Sequence, residues 1–250
     1  MAEARFLMIS LRPAGGHAAL RRAAARAGGR VLALSPWRIV GRDDAVTRRT
    51  LDAALAQPRV FFSSPAAVAA AARLRPLAAR PGQQVFGVGE GTRRALAAAG
   101  IRDARAPSRM DSEGLLALPE IAALTAGDAF GLVTAPGGRG EIARRLAARG
   151  VHVVRADVYM REPTALRASA LAALRHALDA PAPPVFLALS SGEALDRVLA
   201  GLPEPLRLAL RGATVIAASE RLAELARTHG FSRVRVAASA RPADLVAAVG

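Results

Sequence analysis

The chain has 250 residues, of which 52% are hydrophobic, and it contains no cysteine. This length and hydrophobic content allow one large core or two small ones and exclude a disordered protein. Without cysteine there is no disulfide framework, thiolate nucleophile or cysteine zinc cluster, which fits a reducing cytoplasm, where we expect the protein to work. No apolar run reaches the ~20 residues that span a membrane, so we expect no membrane partner.

The formal net charge is +15, and all 35 basic residues are arginine. A lysine-free, alanine-rich chain indicates a compositional bias, but a positive field still favours an anionic ligand. Nucleic acid is one such ligand. Because only 4% of the residues are aromatic and no zinc-finger, RNP or GxxG motif occurs, we expect no nucleic-acid partner.

Strand-like apolar runs alternate with helix-like runs, which predicts an α/β fold with parallel sheets flanked by helices. The predicted strands are FLMIS (6–10), VLALS (31–35), VFF (60–62), VFGV (85–88), AFGLVT (129–134), VHVV (151–154), VFLAL (185–189), TVIAA (214–218) and VRVAA (234–238). Helices follow six of them and are predicted to end near Ala27, Leu77, Ala99, Arg149, Leu199 and His229. Glycines at four of these ends are predicted to adopt the left-handed conformation, namely Gly28, Gly100, Gly150 and Gly230.

The same order of elements occurs twice. Residues 7–101 and 130–231 both run from a strand through a proline loop, an arginine-rich helix, a strand, an aromatic residue and a Ser-Ser turn to two further helices. The resemblance is plainest between FFSSPAAVAA (61–70) and FLALSSGEAL (186–195). A period of about 100 residues is too long for a solenoid, so it predicts two similar lobes with a cleft between them.

Each Ser-Ser turn is typical of a strand leading into a helix N-terminus. Ser64 occupies the N-cap position with Pro65 at the first helical position, and Ser190 with Glu193 has the spacing of a capping box. Capping alone explains any one such serine. Ligands of parallel sheets bind beyond the carboxyl ends of the strands, however, and the repetition of these turns there favours a ligand-binding role.

The glycine-rich segments, the histidines and the serine pairs do not match the motifs of several common kinds of site. The segment GVGEGT (87–92) has threonine at the sixth position of a dinucleotide fingerprint, and PGGRG (136–140) lacks the lysine of a Walker motif, although its N–H groups suit an anion. The four histidines are scattered and neither serine pair lies in G-x-S-x-G, so we expect no metal and no hydrolase triad. We expect no cofactor.

Tyr159 is the only tyrosine, at the end of HVVRADVY (152–159). A half-buried core tyrosine with one hydrogen bond is the plain alternative to a functional one. Trp37, its counterpart in the repeat, is predicted to pack near the connection between the lobes.

Seven short motifs follow one another along the chain: LRP (11–13), SSPAAV (63–68), VFGVGEGTRRAL (85–96), PGGRGEIARRLAARG (136–150), DVYMRE (157–162), LSSGEAL (189–195) and ASERLAELARTHGF (218–231). In this order they resemble the uroporphyrinogen-III synthase family over nearly the whole chain. The chain departs from the usual pattern of the family at three places: Leu11 and Ser63 replace threonines, and the pair Glu90-Gly91 stands where small residues or proline are common.

The resemblance implies two α/β lobes joined by two linker strands, the first lobe being built from both chain ends. Lobe 1 would comprise residues 1–36 and 161–250 and lobe 2 residues 41–152, with linkers 37–40 and 153–160. It also implies a cofactor-free, monomeric lyase that cyclises hydroxymethylbilane to uroporphyrinogen III with inversion of the last pyrrole ring. A transient hand-over of this substrate from the preceding enzyme is a further expectation. A non-enzymatic anion- or nucleic-acid-binding module is the alternative.

A substrate with an acetate and a propionate on every pyrrole needs many anion contacts, and the two serine turns would hold different pyrroles across the cleft. The expected binding residues are Arg12, Ser63, Ser64, Thr92, Gly138, Arg139, Ser190, Ser191 and Ser219. Tyr159 is the expected catalytic residue, as a hydrogen-bond donor to the departing hydroxyl.

Overall fold

The computed structural model describes residues 4–107, 109, 112–137, 140–180 and 182–250. Its strands are β1 Phe6–Ser10, β2 Gly29–Ala33, β3 Trp37–Gly41, β4 Arg59–Phe62, β5 Gln84–Gly87, β6 Ala129–Thr134, β7 His152–Asp157, β8 Tyr159–Pro163, β9 Val185–Leu189, β10 Thr214–Ala217 and β11 Val234–Val236.

The helices of the described residues lie between these strands and at the end of the chain. They are α1 Ala18–Arg26, α2 Ala45–Leu55, α3 Pro65–Leu74, α4 Glu90–Ala98, α5 Ser112–Leu116, α6 Pro119–Ala122, α7 Glu141–Ala147, α8 Ala168–Asp179, α9 Gly192–Gly201, α10 Glu204–Leu210, α11 Glu220–Thr228 and α12 Pro242–Ala247. Across the described ranges, no helix combines the length and the apolar character needed to cross a membrane.

The chain divides into two compact units. Unit 1 consists of Met1–Arg38 and Glu162–Gly250, and unit 2 of Ile39–Arg161. Each unit has one main sheet whose strands all run parallel, with the order β11-β10-β9-β1-β2 in unit 1 and β5-β4-β6-β7 in unit 2. This is the α/β class that the alternating pattern predicted.

The two sheets are built by an exchange between the two repeats. The order β1-α1-β2-β3-α2-β4-α3-β5-α4 recurs as β6-α7-β7-β8-α8-β9-α9-β10-α11, with α10 inserted before β10. In unit 1, β1 and β2 of the first repeat lie in one sheet with β9, β10 and β11 of the second, and the two groups are joined by the β1–β9 pair. In unit 2, β4 and β5 of the first repeat share a sheet with β6 and β7 of the second, joined by the β4–β6 pair. Neither repeat therefore forms a sheet by itself.

The connecting strands β3 and β8 form a separate two-stranded sheet. The expected linker 153–160 is divided in the structure, because β7 pairs with β6 from Ala129↔His152 to Thr134↔Asp157 and so belongs to the main sheet of unit 2. Trp37 is buried at the start of β3.

Both faces of the unit 2 sheet are covered. Successive residues of a strand point to opposite faces. Val60 and Phe62 of β4 therefore join one core cluster, whereas Phe61 between them joins another with Phe86 and Phe130. Burial on both sides explains why the last three residues of β4 are all apolar and do not alternate with polar ones.

The helix ends follow the glycine pattern. Gly28, Gly100, Gly150 and Gly230 have φ values of 76°, 109°, 77° and 88°, as predicted for left-handed C-terminal residues. The predicted linker 37–40 corresponds to β3, and the predicted linker 153–160 reaches only the first two residues of β8. Several helices escaped the sequence analysis, namely α2, α5, α6, α8, α10 and α12.

The packing of α2 on the unit 2 sheet depends on a glycine. A Cβ added at Gly131 in β6 would overlap the carbonyl oxygen of Ala54 in α2. We expect Gly131→Ala to lower the free energy of unfolding by about 2–3 kcal/mol, because the helix must move away.

Gly201→Ala is the matched control. A Cβ at this last residue of α9 would meet Leu166 at an ordinary 3.8 Å, so stability should rise by about 0.5 kcal/mol. Urea unfolding measures both variants. A Gly131→Ala protein as stable as the wild type would contradict the close contact of α2 with β6.

Candidate active site

In unit 2 the first Ser-Ser turn follows β4 at the carboxyl edge of the sheet. Ser64 is the N-cap of α3, and its Oγ accepts a hydrogen bond from the backbone N–H of Ala67 at 3.1 Å. Pro65 is the first helical residue, so the predicted cap is confirmed. Ser63 does different work, because its Oγ donates to Oγ1 of Thr134, the last residue of the adjacent strand β6, at 2.8 Å.

Tyr159 lies against this turn. It is 3% exposed and packs in the same core cluster as Phe62 and Val158. Its hydroxyl lies 3.1 Å from Oγ of Ser64, and either hydroxyl can be the donor. When Ser64 donates, the proton of the tyrosine remains available for another acceptor. A chain of hydrogen bonds thus connects the phenol to the N-terminus of α3, the positive end of the helix dipole.

Thr92 lies in the first turn of α4, next to α3. A Cβ at Gly91 would come within 3.9 Å of Cγ of Pro65, so the first turns of the two helices are neighbours. Thr92 is 1% exposed, and its Oγ1 has no hydrogen-bond partner among the described residues. A buried hydroxyl without a partner costs about 1–3 kcal/mol.

Glu90 begins α4 and carries the charge that departs from the family pattern. Its carboxylate accepts hydrogen bonds from Arg93 at 2.7 and 2.8 Å and from Arg94 at 2.9 Å. The hydrogen bonds from Arg93 and then Arg94 lower the pKa of Glu90 to about 2. The three side chains together therefore keep a positive charge at this helix start.

In unit 1 the second Ser-Ser turn follows β9. The predicted capping box of Ser190 and Glu193 is wrong by one residue, because the N-cap is Ser191, whose Oγ accepts from the N–H of Ala194 at 3.3 Å. β9 ends at Leu189, and the helix starts only at Gly192, which leaves Ser190 exposed beyond the strand.

Ser219 is the N-cap of α11 but makes no side-chain cap hydrogen bond. The N–H groups of Leu222 and Ala223 are bonded to its carbonyl oxygen, both at 3.0 Å. Its partly buried hydroxyl is thus not committed to the helix, unlike that of Ser64.

Arg12 follows β1 at the same edge of unit 1. Its partly buried guanidinium donates from Nη2 to the carbonyl oxygen of Ala240 at 3.3 Å, and burial lowers the pKa of Arg12. Within the described part of the chain it forms no ion pair. A partly desolvated guanidinium without a carboxylate is suited to bind an external one.

The sequence analysis missed His17, the residue before α1. The imidazole is 4% exposed and lies between two serines, with Nδ1 2.8 Å from Oγ of Ser10 and Nε2 2.8 Å from Oγ of Ser35. Burial, followed by the positive charges of Arg21 and Arg12, lowers the pKa of His17 to about 4. The side chain is therefore neutral near pH 7.

The family model described as "Uroporphyrinogen-III synthase HemD" matches residues 18–247 of the chain. The chain belongs to the uroporphyrinogen-III synthase family. The reaction predicted from the sequence is thereby confirmed: hydroxymethylbilane is cyclised to uroporphyrinogen III with inversion of the last pyrrole ring. The non-enzymatic alternative is set aside.

Solved structures agree in fold. A mutant uroporphyrinogen III synthase from the extremely thermophilic bacterium Thermus thermophilus is 18% identical, with a TM-score of 0.59 over 97% of this chain and 96% of its own. A uroporphyrinogen-III synthetase from Helicobacter pylori is 14% identical, with a TM-score of 0.56 over 93% and 92%. The predicted two-lobed α/β class is confirmed. No curated protein is significantly similar in sequence.

The structure brings some of the predicted site residues of the synthase together and not others. Ser64 and Tyr159 are in contact in unit 2, whereas Ser63 is bonded to Thr134, a residue the sequence analysis did not single out. Gly138 and Arg139 lie outside the described residues.

His17 makes the stability of the protein depend on pH, because its imidazole stays neutral in the folded state. Between pH 6.5 and about 4 the unfolded chain binds a proton at His17 that the folded chain does not. The contribution of neutral His17 to the free energy of unfolding is therefore complete above pH 6.5. It is lost as the pH falls towards 4, with a slope of at most about 1.4 kcal/mol per pH unit.

We expect His17→Gln to show a shallower fall of unfolding free energy over this range than the wild type, measured by urea titration at each pH. His176→Gln, which changes an exposed histidine of α8, is the control and should keep the wild-type slope. Equal slopes for all three proteins would mean that His17 titrates normally in the folded state.

Proposed function

We propose that the acetate and propionate groups of hydroxymethylbilane bind at the carboxyl edges of the two sheets, and that Tyr159 assists departure of the terminal hydroxyl. The observation that carries the proposal is the hydrogen bond between Tyr159 and Ser64 at the N-terminus of α3. It gives the only phenol of the chain a fixed direction beside a helix end suited to anions.

Carboxylate binding is supported in each unit by helix starts at the strand ends. α3 and α4 begin there in unit 2, and α9 and α11 in unit 1. Their first N–H groups lack partners inside the helix and carry partial positive charge. We propose that these groups bind carboxylates together with Ser63, Ser64, Thr92, Ser190, Ser191, Ser219, Gly138 and the cations Arg12 and Arg139.

The chemistry demands one assisted bond cleavage. As the terminal C–O bond breaks, Tyr159 donates its proton to the leaving oxygen, which departs as water. The pyrrole N–H proton released in the same step balances the proton donated by Tyr159. The product is an electrophilic azafulvene. Hydrogen-bond donation of this general-acid type contributes on the order of 10²-fold.

Ring inversion depends on orientation. The last pyrrole must attack the azafulvene through its already substituted carbon, which forms a spiro intermediate, whereas spontaneous closure uses the other carbon and leaves the ring uninverted. Many carboxylate contacts spread over rigid helix starts hold the chain of pyrroles in the productive geometry.

We expect Tyr159→Phe to lower kcat on the order of 10²-fold and to change KM little, because the phenol acts on the leaving group. Hydroxymethylbilane generated in situ, oxidation of the products and chromatography of the type I and type III uroporphyrin isomers measure the rate and the outcome. Met160→Leu, at the exposed neighbouring residue, is the control and should behave as wild type. An unchanged rate in the phenylalanine variant would remove Tyr159 from the mechanism.

Substitutions of Ser219 and Ser64 distinguish a role in substrate binding from a role in helix capping. Ser219→Ala removes a hydroxyl without a cap bond, so we expect KM to rise about threefold with stability unchanged. Ser64→Ala should also lower the unfolding free energy by about 1 kcal/mol, since Ser64 caps α3. Steady-state kinetics and urea unfolding distinguish the two effects. Loss of all activity from either single change in a folded protein would contradict binding shared over many contacts.

The monomeric state, the cytoplasmic location and a transient hand-over from the preceding enzyme stay predictions.

A further inference from the structure

The hydrogen-bonded imidazole of unit 1 has no part in the function proposed above. Ser10 is the last residue of β1 and is completely buried, Ser35 follows β2, and His17 is the N-cap of α1. The ring therefore connects the carboxyl ends of two neighbouring strands with the start of the first helix. Both ring nitrogens have a hydroxyl partner. A residue that only caps a helix at the surface needs no such pair of partners.

The six residues 11–16 form the turn between β1 and His17. The imidazole holds both ends of this turn, through Ser10 before it and through its own backbone after it. The middle is held by the N–H of Ala14, which donates to the carbonyl oxygen of Trp37 at 2.9 Å. A further bond inside the turn runs from the N–H of Gly16 to the carbonyl oxygen of Pro13 at 2.8 Å.

Arg12 is the charged side chain of this turn. Its guanidinium has one bond to the protein in the described residues, a long 3.3 Å contact to Ala240. That single contact is a weak constraint on a long side chain. The direction of the guanidinium therefore depends on the backbone of the turn, whose two ends are held by His17 and whose middle is held by the hydrogen bond from Ala14 to Trp37.

We propose that His17 is a positioning residue: bridging Ser10 and Ser35, it fixes the turn that presents Arg12 to a carboxylate of the substrate. This inference rests on the proposed role of Arg12 in binding. Burial, followed by the positive charges of Arg21 and Arg12, lowers the pKa of the ring, so the bridge is made by neutral imidazole. Neutral imidazole has one donor and one acceptor nitrogen, and a hydroxyl can serve either.

A double-mutant cycle tests the proposal. The proteins are wild type, Arg12→Gln, His17→Gln and the double variant, assayed for KM and kcat with hydroxymethylbilane generated in situ. We expect KM to rise about tenfold in Arg12→Gln and about fivefold in His17→Gln, with kcat within about twofold of wild type. The double variant should match Arg12→Gln, because without the guanidinium there is nothing left for His17 to position. His176→Gln is the control and should keep the wild-type KM.

The outcomes separate this inference from the proposed function. An unchanged KM in Arg12→Gln would overturn the binding role of Arg12 and with it this inference. A raised KM in Arg12→Gln that multiplies with the His17→Gln effect in the double variant would overturn the positioning role alone.

Amide hydrogen exchange gives a reading that does not depend on activity. In His17→Gln the N–H groups of Ala14 and Gly16 should exchange at least about tenfold faster than in wild type, while the helix amides of α9 stay protected. If His17→Gln does not fold, Ser35→Ala removes one of the two hydrogen bonds of the imidazole at a partly exposed position. The exchange of Ala14 and Gly16 should then also become faster than in wild type, by a smaller factor. Unchanged exchange of both amides in the folded variant would contradict the proposal.

Discussion

The pairing of β1 with β9 is the contact on which the architecture depends. β1 lies inside the unit 1 sheet, bonded on one side to β2 and on the other to β9, from Leu7↔Val185 to Ser10↔Ala188. Without it the sheet would be split and the core under Phe6 and Phe186, whose rings meet edge to face at 6.0 Å, would open. The β4–β6 pair plays the same part in unit 2. Each sheet thus requires strands of both repeats.

Parallel pairing also decides where chemistry is possible. When all strands of a sheet run the same way, their carboxyl ends and the helix starts that follow share one edge. Ser64, Thr92, Ser191 and Ser219 all lie at such helix starts. These edges therefore present backbone N–H donors and hydroxyls, with arginines such as Arg12 and Arg93 beside them. Such sites suit a polycarboxylate whose reaction needs orientation more than powerful acid–base catalysis.

Local signals made much of the fold predictable. Apolar runs located nine strands, and the left-handed glycines located four helix ends, because both depend on neighbouring residues alone. The α2 helix was missed although Asp44 caps it through the N–H of Thr47, because its alternation of arginine, threonine and alanine gives a weak pattern. The bridge from His17 to Ser10 and Ser35 could not be predicted, because it depends on two strand ends meeting in space. Ser190 was misplaced by one residue because either of two adjacent serines can cap.

Because strands are exchanged between the repeats, the two units complete their sheets at different times during synthesis. Unit 2 is one continuous stretch, Ile39–Arg161, and has all its strands once that stretch has been made. β1, α1 and β2 are made before unit 2 but must wait for β9, which begins at Val185. At about 5–20 residues per second the delay is on the order of ten seconds. During that time β1 has no sheet partner beyond β2, so its apolar side chains stay without the cover that β9 and its helix provide in the finished sheet.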